Sequence, residues 1–259
     1  METWPKDKVL KSKYLPLWAL LSFQAGFINS FGFLACGRFV SHVTGFGTQV
    51  GLAIGEGKWA FALEMFGTPF FFILGAFFSG LYTSARQARN LPPRYERVSA
   101  ALPVLLLILL ISGVQGLFGP FGEDLLYLHD FVLLFSLSFA CGLQNACFTT
   151  LTGGFIRTTH LTGLSTDLGI DLSKSMFGNG SRAEQSVLRR SNISRIACFL
   201  AFAAGSIVSI RYSEDHHYYS LGVPLFTSCI VFGFTVLLGK PGTETGKSRF
   251  TGLRSWILG

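Results

Sequence analysis

Apolar residues run along this chain in blocks close to the length of a bilayer crossing, separated by short polar stretches. Six blocks stand out, roughly 15–36, 60–85, 99–119, 130–151, 193–212 and 219–238. A crossing helix needs about 20 predominantly apolar residues to span a hydrocarbon core about 30 Å thick. Two further stretches, 43–55 and 161–176, read as helices but are short and polar. At about 1.5 Å per residue the first reaches only about 20 Å. The second carries Asp167, Asp171 and Lys174, each unfavourable at the bilayer centre. The pattern predicts an all-α integral membrane protein with six transmembrane helices plus two re-entrant or broken half-helices.

Composition agrees. The chain has 259 residues, 49% hydrophobic and 14% charged, where soluble domains carry about 25% charged. A buried soluble bundle would need polar faces that these blocks lack. The first apolar run is too long for a signal-peptide core and reads as a retained span. All five cysteines lie in or beside apolar blocks with no paired spacing, as small packing residues do. The net charge of +7 falls between apolar blocks, without zinc-finger or RNA-binding spacing, so no nucleic-acid partner is expected.

That charge reads as topology. Lys6, Lys8, Lys11 and Lys13 precede the first block, and Arg86, Arg89, Arg94 and Arg97 follow the second. Lys174, Arg182, Arg189, Arg190 and Arg195 lie in 173–195, and Lys240, Lys247, Arg249 and Arg254 in the tail. Residues 120–129 and 212–219 contain neither Lys nor Arg. Positive loops stay in the cytoplasm, which puts both termini inside a bacterial inner membrane or plasma membrane. An inside-to-inside path from residue 13 to 86 takes an even number of crossings, so 43–55 does not cross. The same parity removes 161–176.

The two short stretches belong to an internal repeat. With Leu21 on Leu137, Ser22, Phe23, Gly26, Asn29, Gly37 and Phe39 meet Ser138, Phe139, Gly142, Asn145, Gly153 and Phe155. After a two-residue insertion, His42, Thr44, Gly45, Thr48 and Gly51 meet His160, Thr162, Gly163, Thr166 and Gly169. Further on, Phe72, Gly75, Ser79 and Tyr82 fall on Phe202, Gly205, Ser209 and Tyr212. Repeat one covers 15–119 and repeat two 130–238 of a single membrane domain, with 239–259 as a cytoplasmic tail. Three crossings per repeat, starting on opposite sides, predict inverted repeats, a layout of many secondary transporters.

The stretches "SFQAGFINSFGFLACGRFVSHVTG" and "SFACGLQNACFTTLTGGFIRTTHLTGLSTDLG" resemble the two signature regions of the YoaK-like family of uncharacterised multi-pass membrane proteins. The resemblance implies a bacterial-type inner membrane protein of about six spans and supplies no substrate. The family often shows an acid where this chain has Asn29, and Asn where it has Phe46. An ion-coupling role at those positions therefore does not carry over.

Candidate chemistry concentrates on the repeat. Thr44 and Thr48, like Thr162 and Thr166, share a helix face, while Gly45 and Gly163 permit close backbone approach. Two half-helix N-termini meeting near the midplane would suit an anion or polar group; the alternative is that Thr and Gly only help pack a short helix. Asp167 and Asp171 share a helix face, have no matching acids in the first repeat, where Gln49 and Ala53 stand, and are candidates for proton coupling, or else face cytoplasmic water. Asn29, Asn145, Gln24 and Gln144 either bond across helices, cap broken backbone, or bind solute. His42 and His160 precede the half-helices as proton shuttles or as hydrogen-bond partners of a loop carbonyl. Gly26/Ser30, Gly142/Ala146, Gly75/Ser79 and Gly205/Ser209 are small-residue pairs for close helix approach. Serine-hydrolase, zinc-protease, nucleotide and dinucleotide signatures are missing, so no enzyme activity, catalytic residue, cofactor or metal is expected. The expected function is secondary transport of a small polar or anionic solute, proton coupling included, by a protein free to form a homo-oligomer. A channel-like pore, or a non-transport membrane scaffold or enzyme, is the alternative.

Overall fold

The structure is a computed structural model and describes residues 4–123 and 128–239. The expected basic tail from Lys240 onward and residues 124–127 of the expected outer loop lie outside the described residues. Among the described residues the α-helices in order are α1 (Lys6–Val9), α2 (Leu15–Cys36), α3 (Val43–Gly55), α4 (Trp59–Tyr82), α5 (Ser84–Ala88), α6 (Tyr95–Val114), α7 (Leu128–Leu151), α8 (Leu161–Phe177), α9 (Arg182–His216) and α10 (Gly222–Gly239). Among the described residues there is no strand. Among the described residues five helical segments are long and apolar enough to cross a membrane: Ser12–Cys36, Trp59–Tyr82, Tyr95–Val114, Phe131–Leu151 and Arg182–Leu237. The last joins α9 and α10 through a 3-10 turn, His217–Leu221. Large apolar side chains stay exposed along the long helices, Leu63, Ile73, Ile207 and Phe226 among them. A surface of this kind suits a lipid environment.

The apolar blocks become helices almost residue for residue, with one large difference. The expected start of the fifth block, at 193, lies well inside α9, which starts at Arg182. Ser181 caps it: the Glu184 N–H donates to the Ser181 hydroxyl, and the Ser181 N–H donates to the Glu184 carboxylate at 2.7 Å. Hydropathy marks only the part of a helix that lipid can cover; nothing between Ser181 and His216 breaks this one.

Packing follows a crossed scheme. α2 packs most extensively on α9, and α4 on α7. α6 packs on α7 and α10 on α2, while α6 and α10 meet each other. The two short helices are appended, α3 on α4 and α8 on α9. Four glycines make the tightest contacts possible. A Cβ on Gly26 of α2 would collide with the Phe202 carbonyl of α9, and one on Gly205 of α9 with the Phe23 carbonyl of α2. A Cβ on Gly142 of α7 would collide with the Phe72 carbonyl of α4, and one on Gly75 of α4 with the Phe139 carbonyl of α7. Without a strong hydrophobic drive between helices in lipid, such close backbone contact is a main source of association.

The N-terminal segment is folded against one end of the bundle. The Trp4 N–H donates to the Leu151 carbonyl at 2.8 Å, and the Trp18 indole N–H to the Val9 carbonyl at 3.0 Å. The Trp4 ring lies 4.6 Å from that of Tyr14.

Candidate functional site

Both short helices are seated in the same way. α2 ends at Gly37, whose φ of 63° is left-handed, and the chain turns back through Ser41 into α3. The Asn29 side-chain oxygen accepts from the Ser41 N–H at 3.0 Å and the Ser41 hydroxyl at 2.9 Å. On the other side the chain leaves α7 through Gly153 and Gly154, both at positive φ. There the Asn145 oxygen accepts from the Thr159 N–H at 3.4 Å. Each Asn thus ties the residue just before a short helix to the long helix preceding it. Asn29 works in these bonds as an acceptor, which a carboxylate would do equally well. Asn29→Ala is therefore expected to cost about 1–3 kcal/mol by stranding the Ser41 donors, and Asn29→Asp less than about 1 kcal/mol. Thermal unfolding of the two variants checks this; equal losses would contradict it.

The N-cap residues are His42 and His160. Each imidazole lies over the glycine three residues on. A Cβ on Gly45 would be 2.5 Å from His42 Nδ1, and one on Gly163 would be 2.8 Å from His160 Nδ1. The glycines give the rings their room. The hydroxyls of Thr48 and Thr166 donate back to the carbonyls of Thr44 and Thr162, at 3.3 and 3.0 Å. All four threonines are exposed. α3 and α8 rest on different long helices and share no extensive contact, so the two N-termini are not packed against each other in this conformation.

The glutamines do meet, in the interior. Gln24 donates from its side-chain nitrogen to Gln144 Oε1 at 3.0 Å, and Gln144 donates to the Leu21 carbonyl at 3.1 Å. The Thr227 hydroxyl donates to Gln24 Oε1 at 2.9 Å. These bonds join α2, α7 and α10, and both amides are buried. Their polar groups serve the protein itself here.

The charged residues of α8 converge on a group that sequence reading treated only as a topology marker. Arg195 of α9 is buried, its side chain 7% exposed. Its Nη1 lies 2.5 Å from Asp171 Oδ2, and its Nη2 3.7 Å from Asp167 Oδ2. The Ser191 hydroxyl donates to Asp171 at 3.3 Å, and Lys174 Nζ stands 4.0 Å from Asp171. The guanidinium lies 5.3 Å from the centroid of the Phe155 ring, and Lys6 Nζ 5.4 Å from the same centroid. Burial pushes the Asp171 carboxyl up, but the hydrogen bond and charge of Arg195, then Ser191 and Lys6, outweigh it and hold it below the usual aspartate range. Asp171 is an ion-pair partner in this conformation. Asp167, 61% exposed, is the looser carboxylate. The signal for Arg195 was its place inside the apolar block starting at 193, where a cation needs a partner.

His216 stacks on Tyr212, centroids 4.0 Å apart, and His217 on Phe121 at 5.2 Å. Among the described residues no group of three or more His, Cys, Asp or Glu could hold a metal ion.

No curated protein and no solved structure matches the chain. A family model does, over residues 17–234, which takes in α2 to α9 and most of α10. The chain belongs to that family, described as proteins of unknown function, DUF1275.

Proposed function

We propose that the protein is a secondary transporter of a small polar or anionic solute, built from two inverted repeats, 15–119 and 130–238. In this reading the Arg182–Leu237 segment crosses twice. Its 56 residues would run about 84 Å if straight, far beyond a hydrocarbon core of about 30 Å. The positive φ of His217 supplies the reversal. Six crossings result, with α3 and α8 as re-entrant half-helices and both termini in the cytoplasm of a bacterial inner or plasma membrane.

The observation that carries the reading is the duplicated seat of the half-helices: Asn to the residue before the cap, His over Gly, Thr bonded to Thr. Helices this short, with exposed threonines, do not suit lipid and do suit a water-filled path. Thr44, Gly45, Thr48, Thr162, Gly163 and Thr166 line that path, with Asp167 as the proton-coupling group. The tightest interfaces join α2 to α9 and α4 to α7. The bodies that rock against each other are therefore α2 with α8 and α9, and α7 with α3 and α4, rather than the two sequence halves.

Uptake into proteoliposomes tests this. Saturable, pH-dependent uptake of one solute from a polar and anionic panel is expected, with pH dependence lost in Asp167→Asn. Flux that rises linearly with gradient and never saturates would instead mean a channel, and no flux for any solute would overturn transport.

A further inference from the structure

At the end of the bundle where the N-terminal segment folds back, a cavity of about 450 Å³ is lined by Leu10, Lys11, Ser12, Lys13 and Arg190. Its cations come from opposite ends of the sequence. They meet because α2 and α9 pack together along their length. Lys11 and Lys13 precede the apolar run of α2, and Arg190 comes just before the uncharged stretch of α9 that starts at Ile196. In a bilayer, basic residues flanking an apolar crossing meet the lipid headgroups. Among the described residues no acid lines the cavity, and Lys11 and Arg190 form no ion pair there. Leu10 gives it an apolar floor, buried at 5% exposure, and the Lys13 ammonium stands 5.1 Å from the Tyr14 ring centroid.

We infer that this cavity binds the phosphate of an anionic phospholipid headgroup in the leaflet facing the N-terminus. Cations from two elements supply the charge, and the Ser12 side chain adds a hydroxyl to the rim. The apolar floor beside the rim selects an amphiphile over a free anion. Basic pockets between helices at the cytoplasmic face bind such headgroups through the same combination of charge and position. Bound lipid would hold the N-terminal segment against α9, and the site does not depend on whether the protein transports anything.

The test uses the full chain in nanodiscs of phosphatidylcholine alone or of a four-to-one mixture with phosphatidylglycerol. Thermal unfolding and native mass spectrometry report stabilisation and retained lipid. Phosphatidylglycerol is expected to raise the melting temperature and to be retained. Lys11→Gln/Arg190→Gln should weaken retention by about 30-fold, roughly fivefold for each removed charge. Arg89→Gln/Arg97→Gln removes as much charge from exposed positions elsewhere and should leave retention unchanged. Equal loss in both double variants would overturn the site in favour of general surface charge. Equal stabilisation by inorganic phosphate, without lipid, would overturn the lipid source. No preference for phosphatidylglycerol would overturn the inference altogether.

Discussion

Arg195→Met is expected to destabilise the protein by about 3–5 kcal/mol, because it strands the buried Asp171 carboxylate. The double variant Asp171→Ala/Arg195→Met is expected to recover most of that loss. The reasoning rests on the first half of the chain. In the register that puts Thr44 on Thr162, Ala53 stands where Asp171 does; in the register that puts Phe72 on Phe202, Met65 stands where Arg195 does. Ala53 and Met65 are both buried, at 3% and 1% exposure. Buried apolar residues therefore already occupy the two corresponding positions on α3 and α4. Breaking a buried ion pair leaves one charge uncompensated, whereas replacing it by apolar side chains is often neutral. Unfolding of the wild type and three variants in one detergent gives the full cycle. A double variant as unstable as Arg195→Met would contradict the argument. The pH dependence has a definite sign. Asp171 titrates lower when folded, so its contribution is present above the unfolded value of about 3.9 and is lost as pH falls through the folded one. The double variant should lack that acid loss.

The second large effect concerns the four crossing glycines. Gly26→Leu, Gly142→Leu, Gly75→Leu and Gly205→Leu should each cost more than about 3 kcal/mol, and the alanine variants about 1–3 kcal/mol. Even a methyl group would strike a backbone carbonyl of the neighbouring helix. A carbonyl cannot rotate away as a side chain can, so the helices must separate and lose contacts along the whole crossing. Gly51→Ala and Gly169→Ala are the controls. Neither would meet any atom within 4 Å, and each removes a glycine from a helix interior, which should raise stability by about 0.5–1 kcal/mol. Thermal melts of the set check this. If Gly26→Ala and Gly51→Ala behaved alike, the contact would not be what holds α2 to α9.

These glycines also mark what was legible in the sequence. Their spacing beside Ser30, Ala146, Ser79 and Ser209 identified close-approach positions without naming the partner. Spacing records which face of a helix is small; which helix lies against it is decided by tertiary packing. The limits of α3 were plain, because Gly37 and the polar residues before Val43 and after Gly55 interrupt the apolar pattern. The start of α9 was not, because a charged helix leaving a bilayer looks like a loop on a hydropathy scale. Arg195 was masked for a related reason: counted with its neighbours as a topological charge, it hid the one signal it carried, its place inside an apolar block. The half-helices were expected to face each other, but the sequence fixes their ends and not the long helix each one leans on.

The crossed pairing has a consequence for biosynthesis. Gly26 emerges from the ribosome long before its partner carbonyl at Phe202. At about 5–20 residues per second the wait is about 9 to 35 seconds. Throughout it the first helix stands in the bilayer with its small-residue face bare, while α4 and α7 can already close on each other. The last α-helices to be made thus complete the first one, and a chain cut short before α9 leaves that helix without its main neighbour.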